Sequence, residues 1–421
     1  MALKGNAVYA QSGGVTSVIN CSAYGVIKAA RKSGFIENIY AGLFGINGLL
    51  DEKLIDLQQE SPENIEGLRY TPSAAFGSCR KKLPSLEENR ADFTRIVDVF
   101  KAHNIRYFFY NGGNDSMDTA LKISQIAGQL GYELIAVGIP KTVDNDLPVT
   151  DCCPGYGSVA KYNAVAIREG GYDVESMHRD STKVFVLESM GRHAGWIVGA
   201  TGLAHVSPKD GPHIILFPER AFKEDEFLAK VEESVKKIGF CVVAVSEGVK
   251  TADGKFLAEG GTADSFGHAQ LGGAGEAVAN IVKDKLKFKK HVATLDYCQR
   301  SGRHIASLTD VNQAIACGEM AVELAGKGRN GQMVTIVRTS DAPYEWSTGS
   351  TPIENIANKE KEVPDNYITA DGFHITDDFR TYCNPLIAGE AYPPFQNGLP
   401  DYVRMSMKLL APKLPARVKS K

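Results

Sequence analysis

RYFFYNGGNDSMDTA, residues 106–120, changes character halfway along. An aromatic run gives way to Gly112–Gly113 and then to a polar segment with helical spacing. Aromatic residues suit a pleated, buried strand, and paired glycines let the backbone turn tightly and approach a ligand closely. The stretch therefore reads as strand, turn and helix start, an arrangement whose free N–H groups favour an anion. The device occurs twice more. NAVYAQ (6–11) runs into QSGGVTSVIN (11–20), and KVFVLE (183–188) runs into SMGRHAGW (189–196).

Further strands are read at LIAVGI (134–139), HIILFP (213–218), FCVVAVS (240–246), HVATLD (291–296) and MVTIV (333–337). Near-continuous apolar strands separated by amphipathic helices indicate parallel sheets covered on both faces. Eight of them predict an α/β protein of two doubly wound, Rossmann-like lobes with mainly parallel sheets. Ligands in such folds gather at the carboxyl ends of the strands. Polar stretches at 248–268 and 339–380 read as surface insertions, and LLAPKLPARVKSK (409–421) as a solvated basic tail.

The composition is that of an ordinary globular chain: 421 residues, 43% hydrophobic, 23% charged, net charge -3. Such a balance gives no bulk attraction to nucleic acid or to an acidic membrane. No apolar run approaches the length of a membrane span. The start, MALKGNAVYAQSGG, meets a glycine turn before a signal h-region can form. Eight cysteines are scattered without CxxC spacing, which predicts reduced thiols and a cytoplasmic protein.

No GxxxxGK[ST] loop occurs, and neither double-glycine turn completes GxGxxG with a downstream acid. LGGAGEAVA (271–279) approaches that pattern without a preceding strand, so it reads as a helix start. GIPKTVDNDLP (138–148) places Lys141, Asp144 and Asp146 at the end of a buried strand. Buried carboxylates need a metal, a cation or a proton-transfer role. An Asp-rich turn that merely caps a helix is the plain alternative.

Taken together, GGNDS (112–116), PKTVDND (140–146), ESMGR (188–192), EG (247–248) and YCQR (297–300) resemble the phosphofructokinases in order and spacing, over about residues 5–340. The resemblance is to the pyrophosphate-dependent branch. It implies Mg²⁺-dependent, reversible phosphoryl transfer from pyrophosphate to the 1-hydroxyl of fructose 6-phosphate. It also implies a phosphoryl-donor lobe (1–158 with about 301–350), a sugar-phosphate lobe (159–300) and a C-terminal extension (351–421) packed on both.

Position by position, the resemblance makes Asp144 the proton acceptor and puts Thr142 beside it in the sugar-holding segment. Asp146 supports the metal site, with Asn114 and Asp115 as further metal-side groups. Met190, Gly191 and Arg192 form the sugar-binding turn, and Arg192 also stabilises charge on the moving phosphoryl. Glu247 meets the furanose hydroxyls, and Tyr297 with Arg300 meets the 6-phosphate. Gly14 and Gly113 are the glycines that approach the donor. Lys183 and His291 occupy positions that reach the 6-phosphate from a neighbouring subunit, so a homodimer or larger homo-oligomer is expected.

Four positions depart from the ATP-using members. Asp115 and Lys141 stand where those carry glycine, Asn114 replaces an acid, and Val15 replaces another. Asp115 would repel an ATP α-phosphate, and Lys141 would neutralise the inorganic leaving group. Arg80 is shared with ATP-using members and does not separate the donors. The alternatives are an ATP-dependent enzyme and a catalytically silent regulatory subunit of the same fold; the second predicts loss of Asp144 or Arg192.

Overall fold

The computed structural model describes residues 2–417 apart from 82, 85, 86 and 264–268. Part of the polar stretch at 248–268 and the last four residues of the basic tail, 418–421, thus lie outside the described residues.

Two sheets carry the chain. The larger has seven strands in the order Tyr344–Pro352, Gln332–Asp341, Ile135–Pro140, Ile105–Gly112, Gly5–Gln11, Ile36–Gly42 and Leu54–Asp56. Its inner pairings are parallel, and only the outermost strand at each edge is antiparallel. The smaller has Lys290–Thr294, Val184–Ser189, Cys241–Ser246 and Ile214–Leu216, all parallel. Every residue of Gly5–Gln11 and of Cys241–Ser246 is buried, as expected for parallel strands with helices on both faces. All eight strands read from the sequence are present.

Long helices lock the sheets together. The helix Tyr156–Met177 leads from the first sheet to the second. Its start is held by the buried Asp310 carboxylate, which accepts from the N–H groups of Gly155 and Ser158, both at 2.9 Å. A carboxylate at a helix N-terminus satisfies orphan donors and complements the dipole. The helices Ile19–Lys32 and Leu308–Gly326 cross where Gly25 and Gly318 meet. A Cβ on Gly25 would lie 2.2 Å from the Ile315 carbonyl oxygen, so the crossing tolerates no side chain there.

Three features differ from the sequence reading. Ile36–Gly42 is an inner strand in which Glu37 and Asn38, near its start, hide its apolar character. The stretch at 339–380 is no simple surface insertion. It completes a hairpin with Tyr344–Pro352 and then buries Ile353, Ile356, Val363, Ile368, Ile375 and Phe379. These anchors follow neither a period of 2 nor one of 3.6, so periodicity could not reveal them.

The third is the basic tail, which is a strap up to residue 417. Ile55 and Leu409 form an antiparallel bridge, so the strap extends the Leu54–Asp56 edge. Glu52 accepts from the N–H groups of Lys413 at 2.6 Å and Leu414 at 3.2 Å, and Glu60 from those of Ser406 and Met407, both at 3.0 Å. Covering an edge strand removes a template for aggregation.

Candidate active site

Register places the loops. Gln11, Asn111 and Ile139 stand opposite one another across three parallel strands, so the turns that follow leave the sheet side by side. In the smaller sheet Ser189 pairs with Ser246 and Glu188 with Thr294, which aligns the segments carrying Met190, Glu247 and Arg300. Both sets of loops open onto one cleft of about 280 Å³.

From the larger sheet, Gly14, Gly113, Asn114, Asp115, Lys141, Thr142, Asp144 and Asp146 line this cleft. From the smaller, Met190, Arg192, Glu247 and Arg300 line it. Gly191 lies behind them at φ +134°, and its N–H donates to Glu247 Oε1 at 3.3 Å. Its backbone angle and its approach to the Ala194 carbonyl both require glycine. Tyr297 is exposed beside the cleft, with the Arg300 guanidinium 3.9 Å over its ring.

Lys183 and His291 do not line the cleft of their own chain. Lys183 Nζ donates to the His178 carbonyl at 2.5 Å, and His291 is exposed on the edge strand Lys290–Thr294.

Cations converge on the first glycine turn. Lys141 is buried, and its ammonium donates to the Gly14 carbonyl at 2.6 Å. A Cβ on Gly13 would lie 3.2 Å from Lys141 Nζ. One on Gly14 would lie 3.3 Å from Arg300 Nη1 and 3.5 Å from Arg80 Nη2. Three positive groups at a turn without side chains make an anion site. Burial lowers the Lys141 pKa to about 8, although Asp146 and Asp144 oppose the shift.

The carboxylates behave oppositely. Asp144 is raised to about 7 by burial, then by the charges of Asp146 and Glu247. Burial also raises Asp146, against hydrogen bonds from its own N–H and from Thr142. Asp146 Oδ1 is sealed from solvent without a hydrogen-bond partner. Glu247 is raised by burial too, and the Gly191 N–H works against that. A carboxylate poised near neutrality can take or give a proton at physiological pH.

Asn145 separates the two aspartates at φ +56°, a region that asparagine enters more readily than most residues. Its Nδ2 donates to Tyr382 Oη at 2.8 Å and its Oδ1 accepts from the Cys153 N–H at 3.0 Å. It fixes this turn from within.

Sequence reasoning missed Glu360 and Lys81, which also line the cleft. Glu360 comes from the polar stretch read as an insertion, and no local pattern marked it. The LGGAG segment serves a protein carboxylate: Gly273 and Gly275 N–H groups donate to Glu188 at 3.0 and 2.7 Å. Among the described residues no group of three or more His, Cys, Asp or Glu is placed to hold a metal ion. All eight cysteines are unpaired. No helix among the described residues is long and apolar enough to cross a membrane.

Comparison with known proteins points to the same chemistry. The family model described as Phosphofructokinase matches residues 6–325. The chain is 56% identical over 412 residues to the pyrophosphate–fructose 6-phosphate 1-phosphotransferase of Methylococcus capsulatus, covering 98% of each chain. To the protein of the same name from Halomonas elongata it is 54% identical over 411 residues, covering 97% of this chain and 98% of that one. A crystal structure of the pyrophosphate-dependent phosphofructokinase from Nitrosospira multiformis superimposes with a TM-score of 0.91 at 56% identity, over 99% of this chain and 100% of the other. With two mainly parallel sheets meeting at one anion-binding cleft, and relatives matched over nearly their whole length, the chain belongs to the phosphofructokinase family.

Proposed function

We propose that this chain is a pyrophosphate-dependent phosphofructokinase, moving phosphate reversibly between pyrophosphate and the 1-hydroxyl of fructose 6-phosphate. The observation that carries the reading is the convergence of Lys141, Arg80 and Arg300 on the Gly13–Gly14 turn, in the same cleft as the near-neutral carboxyl of Asp144. Neither the ATP-dependent alternative nor the silent subunit has support. Asp144 and Arg192 both line the cleft.

In the forward direction the Met190–Arg192 turn, Thr142 and Glu247 hold the sugar. Asp144 takes the proton as the 1-oxygen attacks phosphorus. The new O–P bond forms as the bridging P–O bond of pyrophosphate breaks, and inorganic phosphate leaves against Lys141 and Arg80. Arg192 stabilises the equatorial charge. In the reverse direction protonated Asp144 returns its proton to the departing sugar oxygen.

Mg²⁺ fits this donor set. Asp146 offers a sealed, unpartnered oxygen, and Asp115 and Asn114 add oxygen donors in the same cleft. Magnesium is commonly bound by one or two carboxylates together with substrate phosphates, so a cage made wholly of protein is not required. When bound it would neutralise phosphate charge.

The sheets support a donor lobe of 1–158 with about 301–350, a sugar lobe of 159–300, and a C-terminal extension of 351–421. Unpaired cysteines agree with a cytoplasmic location. The placement of Lys183 and His291 away from their own cleft supports a homodimer or larger oligomer that shares them across subunits. Sedimentation at assay concentration is expected to show no active monomer; a fully active monomer would contradict sharing.

Phosphorus NMR tests the reaction itself. Mixing chain, Mg²⁺, fructose 6-phosphate and pyrophosphate is expected to yield fructose 1,6-bisphosphate and phosphate in equal amounts, and adding those products is expected to return pyrophosphate. Consumption of pyrophosphate with no bisphosphate formed would refute the proposal.

A further inference from the structure

The segment 359–363 lies beyond the matched family region, which ends at residue 325. Yet it touches both halves of the cleft. Toward the larger sheet, the Lys361 N–H donates to the Asp146 carbonyl at 2.7 Å. The Lys361 ammonium donates to the carbonyls of Thr150 and Asp151 at 3.1 and 3.0 Å. Asn114 Nδ2 donates to the Lys359 carbonyl at 3.4 Å. Toward the smaller sheet, the Lys361 carbonyl accepts from the Trp196 indole N–H at 2.9 Å, and its ammonium lies 5.2 Å from the Trp196 ring centroid. Glu219 Oε1 ties the segment to the smaller sheet a second time, accepting from Gly195 at 2.7 Å and Val363 at 3.2 Å.

We infer that Lys361 is a positioning residue that clasps the Asp144–Asp146 turn to the Met190–Trp196 segment and so sets the distance between base and acceptor sugar. The inference rests on the function proposed above. Lys361 itself contacts no reacting atom. Its backbone fixes the residue that carries one carboxylate, its ammonium fixes the end of the same turn, and its carbonyl fixes the helix that follows the sugar turn. One residue thus joins, through its backbone and its ammonium, segments that fold on different sheets. The reaction requires those segments in register, and a displacement of about 1 Å can lower a rate about 10²-fold. The cation over Trp196 adds attraction that a neutral side chain of equal length would lack.

Lys361→Met retains the stem and removes the charge and both ammonium hydrogen bonds. Well below the Tm of both proteins, it is expected to lower kcat about 10–100-fold while each KM stays within about threefold, a loss confined to the transition state. Lys361→Arg, which can still reach the two carbonyls, is expected to recover most of the rate. In the Trp346→Phe background, where Trp196 is the one remaining tryptophan, Lys361→Met is expected to shift the emission of Trp196. Absence of pyrophosphate turnover in the wild type would count against the functional reading, while the emission would still test the clasp. An unchanged emission, a kcat within about threefold of wild type, or equal losses in the Met and Arg variants would each overturn the inference.

Discussion

Asp144→Ser is expected to lower kcat by about 10²–10⁴, the usual contribution of a general base, with little change in the KM for fructose 6-phosphate. The turn itself survives the change, because Asn145 fixes it through Tyr382 and Cys153. The pH dependence has a definite sign. A base works when deprotonated, and the Asp144 carboxyl is raised to about 7, so forward kcat/KM is expected to rise with pH through about 7. The reverse reaction would need the protonated form and is expected to fall over the same range.

Above that, Lys141, lowered to about 8, begins to lose its charge, and the forward rate is expected to decline again. Removing Asp144 flattens the lower limb. Stability moves the other way. A carboxyl whose folded pKa is raised binds its proton more tightly in the folded state, so its contribution is lost as pH climbs from the unfolded value to about 7. Asp144→Ser is therefore expected to gain Tm relative to wild type at pH 8 compared with pH 5. A variant with near-normal turnover, or an unaltered lower limb, would remove Asp144 from the mechanism.

Lys141→Met is the second large effect. Its ammonium is buried, bonded to the Gly14 carbonyl and flanked by Asp144 and Asp146. Removing a preorganised group at developing charge commonly lowers rates about 10²–10³-fold, and the loss is expected in pyrophosphate kcat/KM. The remaining carboxylates lose a compensating cation, so the Asp144 limb should also move to higher pH. A pH–rate profile of the variant checks both. Unchanged pyrophosphate kinetics would show that Lys141 is a structural tie to Gly14 alone.

The legible part of the molecule was that in which chemistry and chain order coincide. Strands buried on both faces announce themselves as apolar runs, and each glycine turn follows its strand directly. The candidate site was legible through the same local motifs, and register did the rest by aligning Gln11, Asn111 and Ile139. What escaped was held by distant contacts. Glu360 reaches the cleft, and Lys361 the turns beside it, from a polar segment without periodicity, and the strap at 403–417 binds through Glu52 and Glu60, whose partners on the strap are mostly backbone N–H groups. Asn145 looked like an ordinary turn residue because its partner, Tyr382, lies far along the chain.

Donor choice is the most specific consequence of this arrangement. Asp115 lies in the first turn of the helix Asn114–Gln129, in the same cleft as Lys141. A second negative charge about 4 Å away would raise the energy by about 4 kcal/mol at an effective dielectric of 20, roughly a thousandfold in affinity. Asp115→Gly should therefore improve ATP binding, while turnover with ATP stays low because the leaving-group environment is built for phosphate.

The decisive measurement is kcat/KM for pyrophosphate and for ATP, with saturating fructose 6-phosphate and Mg²⁺, in wild type and in Asp115→Gly. The wild type is expected to favour pyrophosphate by about three orders of magnitude, and the variant to show a narrower preference. A wild type that favours ATP, or a variant whose use of ATP is unchanged, would contradict it.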